Sequence, residues 1–398
     1  MTNSVLYFHR TKGEGVEGVH IWSIIQSLRD MGYHVDVISP DGKQCQNNDN
    51  ESNVKANVKG KSFSKKLYSV ISKYMPEIIF EVAEIMYNIR NYYIANKLLK
   101  EKKYKFIYER YAIFSFIPAL LAKKYDIPLV MEINYTSQSP LYRKRSKIMK
   151  PLAVFTDKYV FRKTMVFSAV SSKLQEDLKL QYSVPDNKII MTPNAADPEK
   201  FNMNRNALGK IGRINLKDKH VIGFVGGFYP WHGVQFLIDA YSEVIKQYPN
   251  VVLLLIGDGP ERGAIENYIE NNKLSDSIIL LGRIAHEKLP DYIATFDAGI
   301  MPDSNDYGSP MKIFEYMAQG CPVIAPDYGP ILDVVQDGVH GFVFKKKDKM
   351  SLVEALVNIT RGQVDLEGIR RNCRTLIEED RNWGNNARMV VQAVENIN

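Results

Sequence analysis

Short apolar runs alternate with longer amphipathic segments along the whole chain, and this alternation constrains the fold more than any other feature. In the first half, the predicted strands are Val5–Phe8, Val35–Ser39, Phe106–Tyr108 and Leu129–Ile133. The predicted helices between them are His20–Met31, residues 63–103 with a break near Pro76, and Ser115–Lys124. Strands that alternate with helices are typical of a parallel sheet covered by helices on both faces.

The second half repeats the pattern, which predicts a second domain of the same α/β class. Its predicted strands are Val221–Val225, Val251–Ile256, Ile278–Leu281, Gly299–Met301 and Val323–Ala325, with a clear helix at Val234–Gln247. The polar, irregular segment from Pro193 to Lys219 separates the two series. We therefore expect two Rossmann-like, doubly wound domains facing a cleft, over residues 1–195 and 196–379. A C-terminal helix over residues 380–398 is expected to cross back onto the first domain.

Composition places the chain among ordinary globular proteins. Its 398 residues are 45% hydrophobic and 24% charged, which suffices for two domains with their own cores. Three scattered cysteines, Cys45, Cys321 and Cys373, favour a reducing compartment and match no metal-ligand spacing. No apolar stretch approaches the roughly 18 residues of a membrane span, and the first apolar run is too short for a signal peptide. We expect a cytoplasmic protein with no bound metal and no cofactor.

The net charge of +7 is concentrated in two segments. Leu141–Lys163 contains eight basic residues against one acid, Asp157, and Lys61–Lys105 mixes lysine and arginine with aromatic and aliphatic residues. Such segments suit an anionic membrane surface, so peripheral association with the inner face of the cell membrane is one expectation. The alternative is that both segments are solvated helix faces. No recognition motif accompanies the charge, so no nucleic-acid partner is expected.

One predicted helix contains a lysine where the helix dipole disfavours it. Ser309 is a good N-cap and Pro310 suits the first helical position. Lys312 would then lie in the first turn, where a cation makes sense if an anion binds beside the free N–H groups. Glu315, one turn later, can accept hydroxyl hydrogen bonds from a diol, so the pair outlines a nucleotide diphosphate and its ribose. The alternative is an exposed helix with an i,i+3 ion pair between Lys312 and Glu315.

Three glycine-containing turns each follow a predicted strand of the second domain. They are Gly226-Gly227 with the nearby His232, Gly257 to Gly259, and Gly282-Arg283-Ile284. Because parallel strands end at the same sheet edge, these turns are expected to lie together, near Pro310 and Met311. Glycine lets backbone N–H groups approach a phosphate, and His232 and Arg283 can supply positive charge. The alternative is that each segment is an ordinary tight turn.

The first predicted strand is followed by Gly13, Gly15 and Gly18, a G-x-G-x-x-G match with Asp41 about twenty residues later. On spacing alone this predicts a dinucleotide site and an NAD-dependent oxidoreductase. We discount that prediction because two glutamates between the glycines would place carboxylates against the pyrophosphate. The interpretation we prefer is a loop at the ligand-binding edge of the first sheet, in which Gly15 and Gly18 belong to an acceptor side.

Several of these segments together resemble the donor-binding domain of GT-B glycosyltransferases, in particular the retaining family 4. The resemblance rests on Gly226–Gly233, Gly257–Glu261, Gly282–Ile284, Tyr307–Ala318, Val323–Ala325, Asp333 and Asp337–Gly341. With the linker Thr192–Phe201 it covers nearly all of residues 190–345. A subset of that family with the pattern S-P-x-K-x-F-E-Y-M-A is the better match. The resemblance implies the GT-B fold and a nucleotide-diphosphate sugar as donor.

Carried over position by position, the resemblance gives Glu315 the role of holding the donor ribose, as the second acid of the family's E-x7-E motif. Tyr307 stands where the first acid is expected. The family's arginine and lysine diphosphate clamp falls at Gly227 and His232, so both cations are missing. Lys312 then becomes the candidate that neutralises the leaving diphosphate. The resemblance also implies front-face transfer, which needs no nucleophile from the enzyme.

On the acceptor side, Glu132 and Asn134 stand at the end of the strand predicted at Leu129–Ile133. Asn134 occupies a position where many members of the family have histidine. Both residues are candidates for positioning the acceptor and, with Lys312, are the catalytic candidates. The alternative for Glu132 is a solvated residue at a strand end.

The expected function is therefore a metal-independent, retaining glycosyltransferase that moves a sugar from a nucleotide sugar to a glycan or lipid-linked acceptor. Such a reaction would belong to the synthesis of a cell-surface polysaccharide or glycoconjugate. The missing clamp and Tyr307 leave an alternative open, in which the protein is a non-catalytic paralogue that binds a nucleotide sugar or acts as a partner subunit.

Overall fold

The computed structural model describes residues 3–11, 13, 15–40, 76–140, 147–204, 207–212, 214–361 and 364–397. The chain divides into two compact units. The N-terminal unit comprises Met1–Val170, Leu174–Thr192 and Ala387–Asn398, and the C-terminal unit comprises Ser171–Lys173 and Pro193–Asn386. The polar segment 41–61 and the part of the predicted helix before Pro76 lie outside the described residues. Within the described residues, no helix has the length and apolar character that a bilayer span requires.

Six parallel strands form the sheet of the N-terminal unit, in the order β2-β1-β3-β4-β5-β6. They are β1 (Ser4–Phe8), β2 (His34–Ile38), β3 (Phe106–Arg110), β4 (Leu129–Ile133), β5 (Val166–Ala169) and β6 (Ile189–Met191). The helices that follow them are α1 (Gly15–Asp30), α2 (Glu77–Glu101), α3 (Ile117–Tyr125), α4 (Lys150–Phe161) and α5 (Ser172–Tyr182). All five residues of β4 are buried, as expected for a central strand covered on both faces. Right-handed crossovers place α2, α3 and α4 on the same face of this sheet.

Helix α1 begins at Gly15, five residues before the predicted start at His20. A Cβ at Gly18 would lie 2.3 Å from the carbonyl oxygen of Gly13, so glycine is required there for close approach of the loop to the helix. The indole N–H of Trp22 also donates to the Gly13 carbonyl, at 3.1 Å. The prediction that Gly15 and Gly18 lie in a loop was therefore wrong, because both belong to the first turn of α1, where Gly18 packs against Gly13.

The C-terminal unit contains a second six-stranded parallel sheet, in the order β11-β10-β9-β12-β13-β14, and a short antiparallel pair, β7 with β8. The strands are β7 (Lys210–Ile211), β8 (Ile214–Asn215), β9 (His220–Val225), β10 (Val251–Ile256), β11 (Ile278–Gly282), β12 (Ala298–Ile300), β13 (Val323–Pro326) and β14 (Gly341–Phe344). The helices are α6 (Val234–Gln247), α7 (Arg262–Asn271), α8 (Leu289–Ile293), α9 (Met311–Ala318), α10 (Gly329–Leu332), α11 (Lys349–Asn358), α12 (Leu366–Glu379) and α13 (Trp383–Ile397). The prediction of two parallel α/β sheets is confirmed.

Every residue of helix α9 except Lys312 is buried, and Tyr316 is completely inaccessible. The Tyr316 hydroxyl accepts the backbone N–H of Val225 at 2.8 Å, which ties the helix to the end of β9. The helix begins one residue later than predicted, because Pro310 adopts extended geometry and is itself the N-cap. The predicted N-cap, Ser309, instead accepts the backbone N–H of Asn194 at 3.0 Å. Because the segment is buried, the Ser309 hydroxyl binds the backbone of Asn194, which is distant in sequence, and does not cap the helix.

Replacing Tyr316 with phenylalanine tests this anchor. Tyr316→Phe removes the hydroxyl bound to the Val225 N–H and leaves a partly buried donor unpaired, so the free energy of unfolding should fall by about 1–3 kcal/mol. Urea unfolding measures the change. The matched control is Tyr229→Phe, whose side chain is 37% exposed, and it should stay within about 0.5 kcal/mol of wild type. Equal stability of the two variants would contradict the anchoring role.

Candidate functional site

Three glycine turns meet at one edge of the C-terminal sheet, where the adjacent strands β9, β10 and β11 end. The Gly226 N–H donates to the carbonyl of Ile256 at 2.9 Å, and the Gly257 N–H donates to the carbonyl of Gly282 at 2.8 Å. A Cβ at Gly257 would lie 1.8 Å from the Gly226 carbonyl oxygen. The prediction that these turns share an edge is confirmed, and glycine is there because the turns pack directly against one another.

The turn after β9 also packs against the turn after β10 and holds His232. The Phe228 N–H donates to the Asp258 carbonyl at 3.1 Å, and a Cβ at Gly259 would lie 2.4 Å from the Phe228 carbonyl oxygen. The Nδ1 atom of His232 lies 2.5 Å from the carbonyl oxygen of Gly227. Because a carbonyl only accepts, Nδ1 carries the proton and Nε2 is left as the acceptor.

The His232 imidazole is neutral at physiological pH in the ligand-free protein. Burial, together with the positive charge of Lys312, lowers the pKa of His232 to about 4. An anion bound beside the ring would favour the protonated form and raise this pKa. His232 can thus contribute a proton to an anion site only once the anion has arrived.

Lys312 is the most unusual charge in this unit. Its ammonium nitrogen is buried, has no hydrogen-bond partner among the residues that the structure describes, and lies 4.5 Å from the centroid of the Phe224 ring. A Cβ at Gly226 would lie only 2.7 Å from this nitrogen, so the lysine ends directly against the first glycine turn. Burial lowers the pKa of Lys312 to about 7, against a smaller opposing effect of Glu315. A buried ammonium without an acceptor is costly, and a bound anion would remove that cost.

Glu315 does not pair with Lys312. Its Oε1 atom lies 2.7 Å from Nε2 of His286, and Nδ1 of the same ring lies 2.8 Å from Nζ of Lys200. A lysine ammonium only donates, so Nδ1 accepts and Nε2–H donates to the carboxylate. In the described part of the chain, the other oxygen of Glu315 has no hydrogen-bond partner. The exposed helix with an i,i+3 ion pair is excluded, because α9 is buried and its glutamate has a different partner.

His286 and Lys200 were not among the predicted site residues. They lie 29 and 115 positions from Glu315 in the sequence, and no local pattern connects them. The one signal was the linker resemblance that ends at Phe201, whose ring contacts the His286 ring edge-on at 5.5 Å between centroids.

The other residues predicted for the donor site, Arg283, Ile284 and Met311, have no unpaired buried charge. The Arg283 side chain is 79% exposed, and its Nε lies 3.8 Å from Asp258 Oδ2. Ile284 packs partly buried against the core of the unit, and Met311 is buried in the first turn of α9. The structure therefore brings Lys312, His232 and Gly226 together, and it leaves Arg283 at the exposed margin.

In the N-terminal unit, Glu132 is the centre of a buried hydrogen-bond cluster. Its Oε2 accepts from His20 Nε2 at 3.0 Å and from the Tyr108 hydroxyl at 2.8 Å, and its Oε1 accepts from Asn134 Nδ2 at 2.5 Å. Arg110 Nε lies 3.7 Å away. Burial by itself would raise the pKa of Glu132, but His20, Arg110 and Asn134 hold it well below its ordinary value. The alternative of a solvated strand-end residue is excluded, because Glu132 is 1% exposed.

Comparison with known proteins matches both units to glycosyltransferases. Residues 15–200 match the family model Glycosyltransferase Family 4, and residues 219–361 match Glycosyl transferases group 1. The two models, one on each half of the chain, support a GT-B glycosyltransferase, and the two parallel-sheet units have the GT-B fold. This fold agrees with that of a solved glycosyltransferase from Rickettsia africae, with a TM-score of 0.71, 14% identity, and coverage of 100% of this chain and 98% of the other. Both matched models describe glycosyltransferases and neither describes a dinucleotide-dependent oxidoreductase, and Asp41 of the G-x-G-x-x-G pattern lies outside the described residues.

Two curated relatives are similar over much of the sequence. Alpha-D-kanosaminyltransferase of Streptomyces kanamyceticus is 23% identical over 252 residues, which are 61% of this chain and 65% of the relative. The UDP-Gal:alpha-D-GlcNAc-diphosphoundecaprenol alpha-1,3-galactosyltransferase of Escherichia coli is 24% identical over 294 residues, which are 71% of this chain and 72% of the relative. The match thus spans about two thirds of the length of the first relative and somewhat more of the second.

The pH dependence of stability tests whether Lys312 is buried as described. Because its pKa falls from 10.5 to about 7 on folding, the unfolded chain binds more protons between these values, and stability should rise with pH across this window. Lys312→Met removes the buried charge and should raise the free energy of unfolding by roughly 3–5 kcal/mol at pH 6. The gain should vanish towards pH 10.

Urea unfolding of both proteins at pH 6, 8 and 10 measures this difference. The matched control is Lys288→Met, at an exposed lysine, which should stay within about 0.5 kcal/mol of wild type at each pH. A Lys312→Met variant that is less stable than wild type at pH 6 would show that the ammonium has a favourable partner in the folded protein.

Proposed function

We propose that this GT-B glycosyltransferase transfers a sugar from a nucleotide-diphosphate sugar, bound by the C-terminal unit, to a glycan or lipid-linked acceptor, bound by the N-terminal unit. The observation that carries the proposal is the buried, unpartnered ammonium of Lys312 beside the glycine turn at Gly226. Such a cation suits the diphosphate that leaves when the sugar is transferred. The E. coli relative, whose name specifies UDP-Gal and a diphosphoundecaprenol-linked acceptor, supports a nucleotide-sugar donor and a lipid-linked acceptor.

Lys312 and His232 are proposed to neutralise the diphosphate in two stages. Lys312 supplies its charge when the anion arrives, since binding removes the cost of burying an unpartnered ammonium. The two negative charges then favour proton uptake by His232, which provides a second cation as the leaving group forms. Arg283 could reach the same anion only by moving its exposed side chain, and we assign it a secondary part. The absence of side chains at Gly226 and Gly227 leaves the backbone accessible to phosphate oxygens.

Glu315 is proposed to bind the ribose hydroxyls of the donor. The hydrogen bond from His286 fixes Oε1, and the oxygen without a described partner is available for the diol. Because Lys200 holds the ring of His286 from the other side, the carboxylate cannot turn towards Lys312 without losing its partly buried hydrogen bond to His286. Lys200 and His286 therefore keep the carboxylate that accepts the ribose hydroxyls apart from the Lys312 ammonium that binds the diphosphate.

Transfer is proposed to proceed on one face of the sugar with retention. The bond between the anomeric carbon and the diphosphate oxygen breaks, the acceptor oxygen bonds to the same carbon, and the acceptor proton passes to the leaving diphosphate. No nucleophile from the protein and no metal is needed in this proposal, since Lys312 and His232 supply the positive charge. Asn134 is proposed to position the acceptor, while Glu132 acts through its hydrogen bonds to His20 and Asn134.

We base the proposed role of the product in the cell on the E. coli relative and its lipid-linked acceptor. A lipid-linked acceptor would place the protein at the inner face of the cell membrane, in the synthesis of a cell-surface polysaccharide or glycoconjugate. A cytoplasmic location is in keeping with Cys321 and Cys373, which are both free thiols.

Release of nucleoside diphosphate from a panel of sugar nucleotides tests the donor site. Wild type should turn over at least one donor in the presence of EDTA, because the proposal needs no metal. Lys312→Ala should lower kcat by about 10²–10³-fold, and Glu315→Ala should lower kcat/KM for the donor by a comparable factor. Glu315→Gln keeps the size and one acceptor oxygen and should retain more activity than the alanine variant.

The matched control for the donor site is Lys288→Ala, which removes an exposed lysine of the same unit and should leave turnover unchanged. Full activity of Lys312→Ala would refute the charge assignment. A requirement for added Mg²⁺ would refute metal independence. Tight binding of a sugar nucleotide by wild type, with no turnover on any acceptor, would refute the proposed activity in favour of a binding protein.

The acceptor side is tested at Asn134. Asn134→Ala removes the half-buried amide next to Glu132 and should lower kcat/KM for the acceptor by about tenfold or more, because a misplaced acceptor loses the reactive geometry. The affinity for the sugar nucleotide, followed by thermal shift, should not change. A loss of donor affinity equal to the loss of transfer would place Asn134 outside the acceptor side.

A further inference from the structure

Helix α2 presents its polar side chains to the interior of the N-terminal unit. Glu81, Asn88 and Asn91 are among its buried residues. Asn88 donates to the Phe114 carbonyl at 2.8 Å and accepts the Phe116 N–H at 3.1 Å. These hydrogen bonds attach α2 to the unit, whereas most surface helices pack against the core through an apolar face.

The opposite face of α2 is apolar and exposed. In the described residues from 76 to 93, every exposed position is apolar or aromatic, and none is charged. The large side chains at these positions are Ile79, Val82, Met86, Ile89 and Tyr93, which we call the apolar stripe. Met86, Ile89 and Tyr93 are 61%, 57% and 70% exposed. Because the polar face already fixes the helix, folding of the unit does not require this stripe to be apolar.

Neighbouring helices extend the exposed apolar surface. Leu120 on α3, Leu152 and Phe155 on α4, and Ile148 just before α4 are all exposed. Together with the apolar stripe they are nine of the fifteen exposed large hydrophobic residues in the part of the chain that the structure describes. The helices α2, α3 and α4 that carry these residues lie on one face of the sheet. The apolar stripe itself is continuous, because its members recur every three or four residues along one side of α2. An exposed apolar surface of this kind marks an interaction site.

The charge of α2, α3, α4 and the segments that join them distinguishes between a second copy of the chain and a lipid surface as the occupant. Within the described residues of 76–163, eleven lysines and arginines are exposed, including Lys97, Lys100, Lys123 and Lys124, against two exposed acids, Glu101 and Asp126. A second copy of the chain on this surface would bring two cationic surfaces together, which costs free energy. An anionic lipid surface attracts the same cations and accepts the apolar side chains.

We propose that the apolar stripe and the exposed side chains of α3 and α4 insert into the interface of an anionic lipid bilayer, with α2 lying in the membrane plane. The stripe lies in the N-terminal part of α2. In a parallel α/β sheet the helices run antiparallel to the strands, so this part lies towards the carboxyl ends of the strands. Glu132 and Asn134 lie at that edge, on and just after β4. The surface would thus hold the acceptor side next to lipid, and this deepens the proposed function, on whose lipid-linked acceptor it rests.

Flotation of the full chain with vesicles tests the membrane surface. Wild type should float with vesicles of phosphatidylcholine and phosphatidylglycerol, and much less with phosphatidylcholine alone. The double variant Met86→Ser/Ile89→Ser should lower binding to the anionic vesicles by about tenfold or more, because two inserted side chains are lost. The matched control is Met350→Ser on the C-terminal unit, whose side chain is 66% exposed, and it should float like wild type.

Three outcomes would overturn the membrane proposal. The proposal is wrong if wild type does not float with the anionic vesicles. It is also wrong if the double variant floats like wild type. A dimer in size-exclusion chromatography that the double variant converts to monomer would assign the stripe to a second copy of the chain. Donor affinity and nucleoside diphosphate release, both measured without vesicles, keep this proposal separate from the proposed function. Wild type that turns over the donor but does not float would contradict only the membrane proposal. Wild type that floats but does not bind the donor would contradict only the proposed function.

Discussion

Burial of helix α9 beside the central strand β9 is the constraint on which the C-terminal site depends. The close packing is possible because Gly299 on β12 has no side chain, since a Cβ there would lie 2.4 Å from the Tyr316 ring. On β9, Gly223 makes room for Phe296 in the same way, because a Cβ there would lie 2.0 Å from the Phe296 ring. With Tyr316 bound to the Val225 N–H, the first turn of the helix is held against the glycine turn that follows β9. This position buries the Lys312 ammonium, and a looser helix would leave it in water.

The two units treat buried charge in opposite ways. Glu132 in the N-terminal unit is surrounded by donors and accepts hydrogen bonds from His20, Tyr108 and Asn134. Lys312 in the C-terminal unit has no acceptor among the described residues, and its ammonium lies between the Phe224 ring and the turn at Gly226. A fully partnered charge holds its surroundings in place, whereas an unpartnered one stores a cost that a ligand of opposite charge can remove. This contrast is the reason why we propose a positioning role for Glu132 and a binding role for Lys312.

Much of the fold was predictable because strands and turns depend on local sequence. β10 was predicted at its observed bounds, Val251–Ile256, since a six-residue apolar run bounded by turn residues has few alternatives. Predictions failed where a distant group intervened. Ser309 is a good cap by its residue type, but the backbone of Asn194 occupies its hydroxyl. The partnership of Glu315 with His286 joins residues on different elements, and helical spacing pointed instead to Lys312.

By itself, the sequence determined the α/β class, the repetition of that class in two halves, and the glycine turns at the strand ends. These follow from apolar periodicity and from turn residues, which act within a few positions of one another. Only the tertiary structure decided that Lys312 is buried without an acceptor, that Lys200 and His286 orient Glu315, and that α2 turns its polar face inward. Each of these depends on which distant groups share a small volume. Burial and pairing in that volume, and not the residue types, set the energy of a charge.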